Sequence, residues 1–349
     1  MRTFADIPVE IERLLAGGGH DRVGVVLLDG FGRRFLERHA GHPFLRRLEV
    51  TELSTQFPST TTAHVTTMHT GRPVGEHGLY EWHVYEPALD AIVTPLLFSF
   101  AGDTDRDTLS ATGLDPATFI GGDTLYQRLG VRSTVLHPAT FSPSTYDRVA
   151  TAGARLVPFA TLRAGVAAFF EALAEPGYAY LYWDRIDAAG HDHGPNSREF
   201  EAAALDALDT LERGLRAIPG ALLMVTADHG QVATDPERVD WLDELWPELP
   251  RLLTHRPAGS ARDAFLHTVP GSADEVIAGL AERLGEGSQV RRAAELVAPG
   301  PRLADVCVLP APGRMAWLRS AAGRATRFRG HHGGLHPDET ETWVGALYS

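Results

Sequence analysis

The chain has 349 residues, 44% of them hydrophobic and 22% charged, enough to bury a sizeable core and balanced like an ordinary globular protein. A formal net charge of −13 argues against nucleic acid as a general partner, because phosphate backbones select basic faces. A lone cysteine, Cys307, excludes an intramolecular disulfide framework and a thiolate metal cluster.

The acidic balance still admits a small phosphorylated substrate wherever a bound cation reverses the local sign. The opening "MRTFADIPVEIERLLAGGG" carries charges throughout and has no apolar h-region, and no run approaches the roughly eighteen apolar residues of a membrane span. The expected location is the cytoplasm, with no membrane partner.

The first element in chain order is "VGVVLLDG", residues 23–30, a buried strand closing on Asp29 and a glycine turn. The strand-like "LEVTEL" follows, and then "QFPSTTTAHVTTMHTGRP", residues 56–73, with six threonines at a helix start. Residues 80–118, rich in aromatics, prolines and aspartates, have the look of an insertion. "STVLHP", "YAYLYWD" and "ALLMVTADHG" are further short apolar strands, the last two closing on Asp184 and Asp228. Between them, Phe200, Ala204, Leu208, Leu211 and Leu215 recur at helical spacing behind a cap at Ser197 or Asn196. Residues 233–327 hold strand-like "DAFLHTV" and "DVCVLP" around helical "ADEVIAGLAERLGEG", a smaller α+β cap; Cys307 is expected to be a buried strand residue. The chain then returns to the core at "GHHGG".

Strands alternating with helices predict an α/β fold with a largely parallel sheet, in which ligands bind beyond the carboxyl ends of the strands. The expected organisation is a core of residues 1–232 and 328–349, with the cap acting with it as one functional unit.

Each polar motif taken alone has a bland reading. A "DG" after a strand is usually a turn, and "DAAGH" places Asp187 and His191 four apart, where many such pairs are merely hydrogen-bonded. "TADHG" leaves Asp228 and His229 at the end of an apolar strand, which is costly without partners. "RGHHGG" reads alone as a flexible turn. Together the segments supply three aspartates, three histidines and a hydroxyl-rich helix start. Such a set suits two divalent cations with three protein ligands each. Two cations roughly 4 Å apart can clamp the attacking and leaving oxygens of a phosphoryl transfer and lower the pKa of a bound hydroxyl.

In order, "LLDG", "FPSTT", "HTGRPVGEHG", "DRIDAAGHDHGP", "TADHG" and "GHHGG" resemble the alkaline phosphatase superfamily, in its branch of nucleotide pyrophosphatases and type I phosphodiesterases. The resemblance spans residues 23–332. It implies an alkaline-phosphatase-like three-layer sandwich with helices on both faces of a mostly parallel sheet. It also implies a site for two zinc ions, with manganese as the alternative. Asp29, Asp228 and His229 would hold one; Asp187, His191 and His332 would hold the other. Thr61 would approach both as nucleophile, with Thr60 as the runner-up; the pattern Pro58, Ser59, Thr60, Thr61 and then Thr70–Gly71 fits Thr61 without a gap.

The remaining hydroxyls and histidines of the region are read as caps and supports, and His331 as at most a neighbour of the site. The implied reaction is hydrolysis of a phosphodiester or pyrophosphate through a phosphothreonine. Two positions bear on substrate. Trp82 stands where phosphodiesterase members carry an asparagine, and Tyr182 matches one side of a base-stacking clamp whose other side is here Thr62. The missing asparagine keeps a phosphomonoesterase or phosphonate hydrolase open as the alternative, with a non-catalytic metal-binding relative behind both. The sequence leaves the oligomeric state open.

Overall fold

Seven strands build the central sheet: Arg22–Leu28 (β1), Glu49–Ser54 (β2), Ser133–Pro138 (β3), Arg155–Phe159 (β4), Gly177–Trp183 (β5), Ala221–Thr226 (β6) and Glu341–Leu347 (β7). Their spatial order is β2-β7-β6-β1-β5-β3-β4. In this computed structural model, which describes residues 2–17 and 19–347, only β7 runs antiparallel to its neighbours. β3, β5 and β6 are buried at every residue, and β1 at all but Arg22. Cover on both faces explains why these segments read as continuous apolar runs instead of alternating.

Strand alternation divides the core into two layers. Val26, Leu28, Leu181 and Val225 meet the helices Leu162–Ala172 and Arg198–Gly214 on one face. Val23, Val25, Leu27, Tyr180 and Met224 meet the helices Asp6–Leu15 and Thr61–Thr70 on the other. The result is the expected three-layer arrangement. The Arg198–Gly214 helix starts at Ser197, whose hydroxyl accepts from the Phe200 N–H at 3.1 Å. It buries Phe200, Ala204, Ala207, Leu208 and Leu211, the larger of which contribute roughly 1.5–3 kcal/mol each. Leu215 lies just past the helix end yet is buried against the same core.

The central register positions the site. Leu27 of β1 pairs with Tyr182 of β5 and with Thr226 of β6, so the carboxyl ends of the three middle strands lie side by side. Asp29, Asp184–Asp187 and Asp228–His229 emerge there together.

Within residues 233–327 a four-stranded antiparallel sheet orders Ala258–Ser260, Asp263–Leu266, Val306–Leu309 and Gln289–Arg292, with the Ala273–Arg283 helix against it. Cys307 is a buried residue of this sheet, as expected. Residues 80–118 contain a small sheet of Val84–Glu86, Ala91–Thr94 and Ser99–Phe100. One hydrophobic cluster joins Tyr80, Val84, Val93 and Phe98 to Ala258, Phe265 and Cys307. The two segments that the sequence reading treats separately therefore share a core. Among the described residues no helix is long and apolar enough to cross a membrane.

Candidate active site

Asp29 is the first residue past β1, and its N–H donates to the Trp183 carbonyl at 2.9 Å. Gly30 then turns the chain at φ +74° and donates its N–H to Asp228 Oδ1 at 3.1 Å. A Cβ at Gly30 would lie 3.0 Å from Asp187, so a residue with a side chain would crowd the site as well as strain the turn. His229 Nε2 lies 3.4 Å from both Asp29 Oδ1 and Asp228 Oδ2. These three side chains are fully buried.

A second group forms alongside. Asp187 and His191 sit four residues apart on the Arg185–His193 helix, which brings Oδ2 and Nε2 to 3.1 Å. His332 Nε2 reaches Asp187 Oδ1 at 3.7 Å. It is carried there by the pairing of Gly330–His331 with Val232–Ala233 and stacks on His229, ring centroids 3.7 Å apart. In each group the candidate ligand atoms lie within 4.8 Å of one another.

The residues fit divalent cations on three observations. Nδ1 of His191, His229 and His332 faces the carbonyls of Gly330, Gly230 and Ser59, at 2.8, 3.1 and 3.0 Å. Donation from Nδ1 leaves each Nε2 with a lone pair aimed into the site. Asp228 Oδ2 is buried with no hydrogen-bond partner among the described residues. The electrostatics agree. Burial, then the neighbouring Asp228 and Asp187, raise the Asp29 carboxyl well above its usual range, and burial raises Asp228. Asp187 behaves differently: burial works to raise it, but His191 and His332 outweigh that and hold it low. Buried acids crowded like this call for nearby positive charge.

Thr61 opens the Thr61–Thr70 helix beside the first of these groups. Its Oγ1 is 3.1 Å from His229 Nε2 and 3.4 Å from both Asp29 oxygens. Thr60 is turned away. It is the N-cap, its hydroxyl donating to the Tyr80 carbonyl at 2.7 Å and accepting from the Ala63 N–H at 3.4 Å. Other hydroxyls and histidines of the segment are internal supports: Thr66 bonds Tyr146, Thr67 meets Gln56 and His77, and His64 bridges the Thr60 carbonyl and the Gln56 N–H. His331 accepts from the His332 N–H through Nδ1 and belongs to neither group. Asp184 also stands outside both.

Two substrate expectations fare differently. Trp82 is 40% exposed, leaving an aromatic surface free. Tyr182 offers no stacking face. It is 7% exposed, its ring is met edge-on by His137 and Phe141, and its hydroxyl donates to Asp29 Oδ2. The cause is its place on β5: side chains of a buried strand end inside the core, not beyond it.

Several site residues carry no signal in the sequence. Gln231 donates its amide to Asp187 Oδ1 at 2.5 Å and to the Asp187 carbonyl at 3.0 Å. Ser59 holds the GHHGG turn, donating to the Gly334 carbonyl at 3.0 Å and accepting from the Gly333 N–H at 3.2 Å. Glu81 and Asp263 form a buried acidic pair beside that turn, Asp263 accepting from the Ser260 hydroxyl at 2.6 Å.

Comparison with known proteins bears on the fold and the family. A search of curated proteins returns no match. Among solved structures, an inactive murine ectonucleotide pyrophosphatase/phosphodiesterase 5 in complex with AMP superposes with a TM-score of 0.67 at 19% identity, covering 93% of this chain and 87% of that one. The human counterpart gives 0.67 at 18% identity over the same shares. Phosphonoacetate hydrolase from Sinorhizobium meliloti, in complex with phosphonoformate, gives 0.65 at 19%, covering 93% and 89%. At such identities the likeness shows the fold. The family model for type I phosphodiesterase/nucleotide pyrophosphatase matches residues 23–335, nearly the whole length, and the chain belongs to that family.

Proposed function

We propose that the protein hydrolyses small phosphodiesters or pyrophosphates through a phosphothreonine formed on Thr61. The observation that carries this reading is the position of Thr61 Oγ1 against the first acid–histidine group, 3.1 Å from His229 Nε2 and 3.4 Å from both Asp29 oxygens. Asp29, Asp228 and His229 would hold one divalent cation, and Asp187, His191 and His332 a second, zinc or manganese. When bound, such cations favour ionisation of a hydroxyl and neutralise charge on phosphoryl and leaving oxygens.

The rest falls to the chain. The Thr61 oxygen attacks phosphorus in line; its bond to phosphorus forms as the bond to the leaving oxygen breaks, and the hydroxyl proton passes to solvent. Of the N–H groups in the first helical turn, the Thr60 hydroxyl takes that of Ala63, and those of Thr61 and Thr62 would receive a phosphoryl oxygen. Water then cleaves the phosphothreonine and regenerates Thr61. Trp82 would lie against the leaving group.

The test compares turnover of bis-p-nitrophenyl phosphate by Thr61→Ala and Thr60→Ala after loading with zinc or manganese. Thr61→Ala is expected to lose at least a thousandfold, and Thr60→Ala to stay within tenfold of the unaltered protein. Full activity in Thr61→Ala would refute the assignment. A second reading, hydrolysis of a monoester or phosphonate, is favoured by Trp82, whose indole can donate one hydrogen bond but cannot replace an amide's paired donors and acceptor. A strong preference for p-nitrophenyl phosphate over the diester would select it.

A further inference from the structure

We infer that Tyr182 is the positioning residue for the Asp29 carboxylate, holding Oδ2 so that Oδ1 faces His229 and the metal position proposed above. The inference rests on that metal reading and departs from the stacking role that the sequence resemblance implies.

The geometry begins in the sheet. Tyr182 and Leu27 are register partners on the parallel strands β5 and β1, and Asp29 lies two residues beyond Leu27 on the same face. A tyrosine at that register spans one pleat, and its hydroxyl reaches Asp29 Oδ2. A shorter side chain on the same backbone could not. The other oxygen, Oδ1, stands 3.4 Å from His229 Nε2.

The ring is itself held. His137 and Phe141 meet it edge-on, with centroids 5.8 and 6.0 Å away and interplanar angles of 70° and 71°. His137 is fixed in turn by Asp147, Nδ1 to Oδ1 at 3.2 Å, and Asp147 closes a capping box with Ser144. A chain of locked side chains thus runs from the Thr145–Ala150 helix to one carboxylate oxygen.

The neighbouring group has its own counterpart, the Gln231 amide on Asp187 Oδ1. Each candidate metal group therefore contains one aspartate with a dedicated neutral donor from another part of the fold. Such outer partners set the orientation of a ligand, and their loss typically weakens metal binding by about 10–100-fold.

Tyr182→Phe keeps the ring and removes only the hydroxyl, so it separates this role from stacking. The measurement is chelator-competition titration of the full-length protein with zinc, alongside the visible absorption of the cobalt-loaded protein. The unaltered chain is expected to take up two equivalents. Tyr182→Phe should bind one of them 10–100-fold more weakly and shift the cobalt bands of that site, while Gln231→Leu should weaken the other equivalent. A purely structural tyrosine would leave both affinities and the cobalt spectrum unchanged, and that result overturns the inference alone. An unaltered chain that binds no divalent metal overturns the metal reading and this inference with it. Should Tyr182→Phe not fold, the 13C ζ-carbon resonance of Tyr182 in the unaltered protein carries the test: it must shift on metal addition, and its constancy overturns the assignment.

Discussion

Glu339→Ala is expected to destabilise the protein out of proportion to its distance from the chemistry. Arg262 of the cap and Glu339 of the core are 2% and 0% exposed, and they meet in a fork: Nε to Oε1 at 3.1 Å and Nη2 to Oε2 at 2.9 Å. Nη1 is spent on the carbonyls of Pro310, Ala311 and Arg314, at 3.2, 3.0 and 2.7 Å. Glu339 Oε1 also accepts the Gly334 N–H at 3.0 Å, which ties the pair to the turn bearing His332. Removing the carboxylate leaves a buried guanidinium with its counter-charge and two acceptors gone, a loss of about 3–5 kcal/mol. At about 2.1 cal/mol/K per residue, unfolding 349 residues carries an entropy of about 0.7 kcal/mol/K, so Tm should fall by about 4–7 °C. Scanning calorimetry of the metal-free protein at pH 7 reads this directly. A change within about 1 °C would refute the reasoning, since it would equate a buried fork with an exposed pair. The double variant Arg262→Met/Glu339→Leu should recover most of the loss, because two apolar side chains leave no stranded charge.

Other outcomes follow from the same physics. Burial pushes the Glu81 carboxyl up to about 7, against 4.5 when free. The folded state thus binds the extra proton between those values, and stability falls as pH rises from 4.5 through 7. Glu81→Gln should remove that loss and gain about 3 kcal/mol at pH 8 but nothing at pH 4.5; equal Tm changes at both values would contradict the shift. His64, His77 and His83 go the other way, lowered by burial from 6.5 to about 3. The unfolded chain takes their protons first, so their stabilisation is complete above pH 6.5 and is lost as pH falls toward 3. Each should cost about 2 kcal/mol between pH 6.5 and 5, and an unchanged urea midpoint across that range would refute it. Thr60→Ala should lower stability by about 1–2 kcal/mol through loss of the cap and the Tyr80 bond, read as a shift in the urea midpoint; no shift would mean that the cap contributes nothing.

The candidate metal-ligand set was legible because its members carry local marks. Asp29 and Asp228 close apolar strands, and Asp187 and His191 share a helical spacing. His332 belongs to a histidine pair flanked by glycines. Their partners carry none. Gln231 reaches Asp187 across 44 residues of chain, Ser59 accepts from His332 across 273, and Tyr182 finds Asp29 across 153. Such bonds depend on which strand ends become neighbours. Tyr182 illustrates the limit: the family resemblance implies a clamp, while the β1–β5 register turns its hydroxyl to a carboxylate.

The sequence alone determined the class of fold and the inventory of candidate ligand types, because hydrophobic period and strand-end polarity are local properties of the chain. It also determined that a hydroxyl-rich helix start would stand among those ligands. The choice between adjacent hydroxyls belonged to tertiary structure. Thr60 and Thr61 differ by one position at a helix start, and only the Tyr80 carbonyl on one side and His229 on the other decide which hydroxyl is spent as a cap and which faces the acids. Both partners are brought there by packing and strand order, which no local pattern encodes.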